Sequence, residues 1–185
     1  IVNFVVHPDT GRQQRTDVDI LGTRFPYRQE LIENPMTDVK RLAEICDKIL
    51  IVIAEVKRSQ CYLNGPWTES EKGNMQKVIR AIGAFPLEEI DHIATQLYRK
   101  GFYENKDFYI MLMCFGKSKN EELKEQYPDV PQLTWDVVLP FIYFRFKKKK
   151  KQKSQHQQWD KYGKKLWDLV MWSNNYDEFR KYFYI

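Results

Sequence analysis

An α/β domain is the fold class that this 185-residue sequence predicts, and three observations predict it. Two near-continuous apolar runs rich in β-branched and aromatic residues lie at 49–57 and 108–115, as expected for strands covered on both faces. Segments with helical periodicity stand between them and before the first, at 37–48, 68–82 and 87–100. The chain opens with a strand–turn–strand pattern. Strands alternating with helices around a buried central strand define the class.

The elements follow in order. Residues 1–6 read as a strand, 7–11 as a turn by Pro8, Asp9 and Gly11, and 14–22 as the returning strand of a hairpin. Strict alternation places Asp17, Asp19 and Leu21 on one face and Val18 and Ile20 on the other. Residues 24–35 are broken by Pro26, Asn34 and Pro35. The helix at 37–48 turns Val39, Leu42, Ala43 and Cys46 inward, and the central strand at 49–57 carries Glu55 and Lys57 on one face at its carboxyl end. A loop with Asn64-Gly65-Pro66 leads to Thr68 and Glu71, spaced as a capping box. The helix they start buries Met75, Val78, Ile79 and Ile82 and stops at Gly83. The next helix, 87–100, buries Ile90, Ile93, Ala94 and Leu97 and stops at Gly101. In 133–146, Trp135, Val138, Leu139 and Ile142 fit a helix stripe, while Pro140 and the β-branched content leave a strand open. A closing helix at 156–171 turns Trp159, Tyr162, Leu166 and Val170 inward.

Length and composition allow one sizeable core, expected at about 1–116, with a helical, basic extension at about 117–185. Hydrophobic content of 43% and aromatic content of 15% argue against disorder. No run approaches the ~18–20 apolar residues of a membrane span, and no membrane partner is expected. Cys46, Cys61 and Cys114 are odd in number and widely spaced, which suits a reducing, cytoplasmic setting and neither zinc nor a disulfide framework. His7, His92 and His156 have no ligand spacing. The chain starts in a strand-like run without an initiator Met, which predicts residues upstream. Net charge is +5, yet residues 145–165 alone sum to +9 and the remainder to −4. Such segregation points to an anionic partner, nucleic acid ahead of a membrane surface.

Three charged residues stand out of place. Asp19, Glu55 and Lys57 occupy strands whose neighbours are apolar. Ionised groups are almost never left in a core unpaired, and a hard metal ion is the most economical partner for the carboxylates.

An Asp ending one strand, followed by Glu-x-Lys ending the next apolar strand, resembles the PD-(D/E)XK nuclease superfamily. The matching residues are Asp19 in Asp17-Val18-Asp19-Ile20-Leu21-Gly22 and Glu55-Val56-Lys57 in Ile53-Ala54-Glu55-Val56-Lys57-Arg58-Ser59. The resemblance covers residues 1–115 and implies a restriction-endonuclease-like fold, a central mixed sheet flanked by helices. It implies a Mg²⁺- or Mn²⁺-dependent endonuclease-type phosphodiesterase, with Asp19, Glu55 and the Val56 carbonyl as metal ligands. Lys57 would orient the attacking water or stabilise the charged phosphorane. The pattern departs from the family in lacking a Pro before Asp19 and in the 35 residues between Asp19 and Glu55. A helical Glu that some relatives place before the first strand has no counterpart here, so the number of metal ions is left open.

DNA is the expected partner ahead of RNA. Lys147, Lys148, Lys149, Lys150, Lys151 and Lys153 are candidate phosphate contacts, as is Arg58, followed by Ser59 and Gln60. Trp67, Trp135 and Trp159 could stack on bases or serve as core. Asp17, Lys72 and Gln76 are candidate accessory groups, against the plainer reading of a solvated strand edge and helix face. Oligomeric state is open, a homodimer included. Two blander readings compete: Glu55 and Lys57 as a surface ion pair, and an inactive nuclease-like module that binds nucleic acid or assembles.

Overall fold

The apolar runs join in one open, mixed six-stranded sheet, seen in a computed structural model that describes residues 1–7, 16–27, 38–154 and 160–183. β1 (Val2–Val6) pairs antiparallel with β2 (Thr16–Arg24), and after the short helix α1 (Lys40–Ala43) β2 pairs antiparallel with β3 (Ile49–Val56). A parallel neighbour needs a crossover connection. Here α2 (Gly65–Thr68), α3 (Asn74–Ile82) and α4 (Ile90–Lys100) supply it. β4 (Phe102–Glu104) then turns back antiparallel onto β5 (Phe108–Gly116), which runs parallel to β3. The order is β1-β2-β3-β5-β4; α5 (Glu121–Gln126) precedes β6 (Gln132–Thr134), which also pairs with β5.

Both faces of the central strands are covered, which is why β3 and β5 are apolar almost throughout. On one face Leu21, Ile51, Ile53, Ile110 and Leu112 pack with Met75, Val78 and Ile79 of α3 and Ile90, Ile93, Ala94 and Leu97 of α4. On the other, Leu50, Ala54, Met111 and Met113 pack with Ile45 and the partly buried Leu42. The inward stripes of both helices are those the periodicity gives, with Ile82 only partly buried.

Several expectations need correction. Strand alternation fails in β2: Val18 and Leu21, three apart, belong to the same core, while Ile20 packs on the opposite one. The helix expected at 37–48 is one turn long, has no acid in its first turn, and leaves Cys46 exposed. Thr68 does not cap a helix. It ends α2, its hydroxyl donates to the Asn64 carbonyl at 3.4 Å, and a 3₁₀ turn spans Ser70–Lys72. The next helix starts only after Gly73, whose φ of 62° breaks the run. Lys72 and Gln76 therefore do not share a helix.

By its internal contacts the chain divides into two compact units, Ile1–Leu133 and Thr134–Ile185. The second is helical, with α6 (Trp135–Lys148), α7 (Lys150–Ser154), α8 (Lys161–Trp172) and α9 (Tyr176–Arg180). Leu139, Tyr143, Val170 and Phe179 form its core, with Trp135 packed against them. The aromatic stretch is thus a helix, with Pro140 inside it. Asp160 caps α8 by accepting from the amides of Tyr162 (2.8 Å) and Gly163 (3.1 Å), so that helix begins at 161. Tyr162, expected inward, is exposed; Trp167 is buried in its stead. Trp159 and His156 lie outside the described residues. Among the described residues no helix is long and apolar enough to cross a membrane.

Candidate active site

The site forms where β2 leaves β3. Their ladder runs from Arg24 opposite Leu50 to Ile20 opposite Ala54. Past that point the Val56 amide donates to the Asp19 carboxylate, Oδ2, at 2.7 Å. On its other side the chain remains tied to β5, the Lys57 amide donating to the Phe115 carbonyl at 2.8 Å. A carboxylate thus stands in for the main-chain carbonyl that a continued antiparallel ladder would present. Backbone N–H and C=O of one extended residue point to the same side, so the Val56 carbonyl faces the edge where Asp19 sits.

Glu55 is 5% exposed, on the face of β3 that carries Ile53. Its charge is answered from three directions. Oε1 accepts from the Lys57 ammonium and from the Asn64 amide nitrogen, and Oε2 accepts from the Trp67 indole at 2.7 Å. Lys57 also donates to Asn64 Oδ1 at 2.8 Å, and its side chain is 22% exposed. Glu55, Lys57 and Asn64 therefore close a ring of charge-assisted hydrogen bonds, the strong kind.

Asn64 and Trp67 come from the turn after β3. The Trp67 amide donates to the Asn64 carbonyl at 2.9 Å, and Pro66 sits in the first turn of α2. Tyr98 of α4 fixes that turn: its hydroxyl accepts from the Met75 amide (3.0 Å) and donates to the Pro66 carbonyl (3.4 Å). Burial raises the Tyr98 phenol pKa, which keeps it protonated for this donation. Trp67 is 1% exposed with its indole committed to Glu55, so it is no base-stacking platform. Sequence reasoning missed both as partners of Glu55; the signal available was a turn-forming Asn close to the motif strand.

The remaining candidates are dispersed. Asp17 and Arg58 are exposed. Lys72 is exposed and pairs with Glu69. Gln76 is partly buried, its Oε1 without a hydrogen-bond partner among the described residues. The basic run divides by burial. Lys147 donates to the Ser173 carbonyl at 2.9 Å and lies over the Tyr143 ring, Lys153 lies over Phe146, and Lys149 is buried at 4% exposure. Lys148, Lys150 and Lys151 are exposed.

Cys114 lies beside Glu55 in the β3–β5 register and has no exposed surface. Burial first, and then the neighbouring Cys61, pushes its thiol pKa up to about 12. Burial likewise pushes the Cys61 thiol up. Both thiols are thereby protonated and without nucleophilic character.

Oxygen donors that could hold a hard cation are the Asp19 and Glu55 carboxylates and the Val56 carbonyl, the ligand type that Mg²⁺ prefers. A carboxylate offers about four lone-pair positions. Glu55 spends three on Lys57, Asn64 and Trp67, and Asp19 spends one on Val56. The pair keeps capacity for a cation, mostly on Asp19. Among the described residues there is no group of three or more His, Cys, Asp or Glu side chains placed to hold a metal. Compared with known proteins, the chain matches no family model, no curated protein and no solved structure.

Proposed function

We propose that the chain is a metal-dependent nuclease of the PD-(D/E)XK type with a restriction-endonuclease-like core, hydrolysing phosphodiester bonds in DNA ahead of RNA. The observation that carries the reading is the Asp19–Val56 hydrogen bond. It brings the Asp19 carboxylate to the peptide that joins Glu55 to Val56, with the Lys57 ammonium on Glu55. An acid held on the main chain of the Glu-x-Lys strand, with the Lys on the Glu, is what supports the reading.

A bound Mg²⁺ or Mn²⁺ would neutralise phosphate charge and lower the pKa of a bound water. Asp19, Glu55 and the Val56 carbonyl would hold it. Lys57, partly exposed, can donate to an attacking water or to a non-bridging phosphate oxygen as negative charge develops there. Arg58 and the exposed Lys148, Lys150 and Lys151 would meet the phosphate backbone.

A second reading, an inactive nucleic-acid-binding module, is favoured by the three protein donors that already hold Glu55. DNA incubated with the protein in Mn²⁺ or in a chelator separates the two. Cleavage in Mn²⁺ alone supports the nuclease. Salt-sensitive DNA binding with no cleavage, and no Mn²⁺ site by calorimetry, supports the second reading.

A further inference from the structure

Assigning Asp19, Glu55 and Lys57 as the active groups leaves two contacts of Glu55 without a role, those from Asn64 and Trp67. Asn64 makes opposite kinds of bond to the two charged groups. Its Nδ2 donates to Glu55 Oε1, and its Oδ1 accepts from the Lys57 ammonium at 2.8 Å. An uncharged amide does both at once through two separate atoms, whereas an ionised carboxylate at that place would lose the donor and add charge. The ring fixes the flexible Lys57 stem over one oxygen of Glu55. Trp67, at 2.7 Å on Oε2, blocks rotation of the carboxylate about its last torsion, which is soft in an untethered Glu. The unspent lone pair of Glu55 is then on Oε2.

We propose that Asn64 is a positioning residue that holds Lys57 and Glu55 in their working geometry, with Trp67 fixing the rotation of the Glu55 carboxylate. This inference rests on the nuclease reading. Its test uses Asn64→Ala, which deletes both bonds, and the isosteric Asn64→Asp, which keeps the acceptor for Lys57 but sets a second carboxylate against Glu55.

The experiment measures plasmid cleavage over a range of Mn²⁺ concentrations and, separately, thermal melting without metal, for wild type and both variants. Each variant is expected to lose about 10–100-fold in rate or in the Mn²⁺ concentration that half-saturates it, the usual loss for a group that orients a metal ligand. Both are expected to melt below wild type while remaining folded at the assay temperature. Wild-type rates with wild-type Mn²⁺ dependence in both variants overturn the positioning role. Wild-type melting in Asn64→Ala overturns the Asn64–Glu55 contact itself. A wild type that cleaves nothing, with Asn64→Ala still melting lower, overturns the nuclease reading and leaves the contact standing.

Discussion

The Asp19 carboxylate accepts the Val56 amide at 2.7 Å, one residue beyond the last backbone pair on β2 and two beyond it on β3. That bond gives Asp19 two separable duties. It closes the end of the ladder, and it sets a carboxylate at the peptide joining Glu55 to Val56.

Asp19→Asn keeps an acceptor for Val56 and changes only the charge, whereas Asp19→Ala removes both. The alanine variant is expected to lose about 0.5–1.5 kcal/mol of stability, the usual net worth of one hydrogen bond, and the asparagine variant less. Both are expected to lose cleavage activity. Urea melts alongside plasmid assays check the separation.

Glu55→Ala strips three donors of their shared acceptor. Breaking a fully buried ion pair costs about 3–5 kcal/mol; Lys57 keeps 22% exposure, so the expected loss is smaller, about 1–3 kcal/mol. Glu55→Gln preserves shape and one acceptor oxygen and should lie between that variant and wild type. The same urea melts read both.

The three thiols should react in an order set by burial. Cys46 is exposed, while Cys61 and Cys114 are wholly buried with thiol pKa values pushed upward, Cys114 to about 12. Iodoacetamide at pH 8 is expected to label Cys46 alone in the folded protein and all three in urea, as peptide mapping would show. A raised folded-state thiol pKa also means stability fully present below the ordinary thiol value and diminishing as pH climbs toward 12.

The lysine run should behave as two sets. Replacing exposed Lys148, Lys150 and Lys151 by Gln is expected to weaken DNA binding and to flatten its salt dependence by about 0.9 for each phosphate no longer neutralised. Lys147→Ala, which gives up the Ser173 carbonyl and the Tyr143 ring, should instead lower the melting temperature of the chain. Binding titrations at several salt concentrations, with melts of the same proteins, check both.

Much of the first unit was legible because its chemistry is local. Unbroken apolar runs gave β3 and β5, and helical spacing gave the buried faces of α3 and α4. Asp19, Glu55 and Lys57 were visible as charges where strands want none. Asn64 and Trp67 were not, since their meeting with Glu55 depends on how a turn nine to twelve residues on folds back, and Tyr98 of a distant helix sets that turn. The spacing of Thr68 and Glu71 fits a capping box, yet Gly73 in a left-handed conformation delays α3 to Asn74. Alternation predicted one parity along β2, while the strand turns both Val18 and Leu21 into one core. Composition counted the lysines of the basic run but said nothing of which would find a carbonyl or a ring.

Asp19, Glu55 and Lys57 are proposed above all as a metal-dependent phosphodiesterase site. The most direct test is the rate of supercoiled-plasmid nicking in Mn²⁺, measured side by side for wild type, Glu55→Gln and Lys57→Ala, with melting curves showing that all three are folded. The expected result is nicking by wild type that stops in chelator, and a drop of about 100-fold or more in each variant, the scale of removing a group that stabilises transition-state charge. Equal rates in all three proteins, or no nicking by wild type, would contradict it.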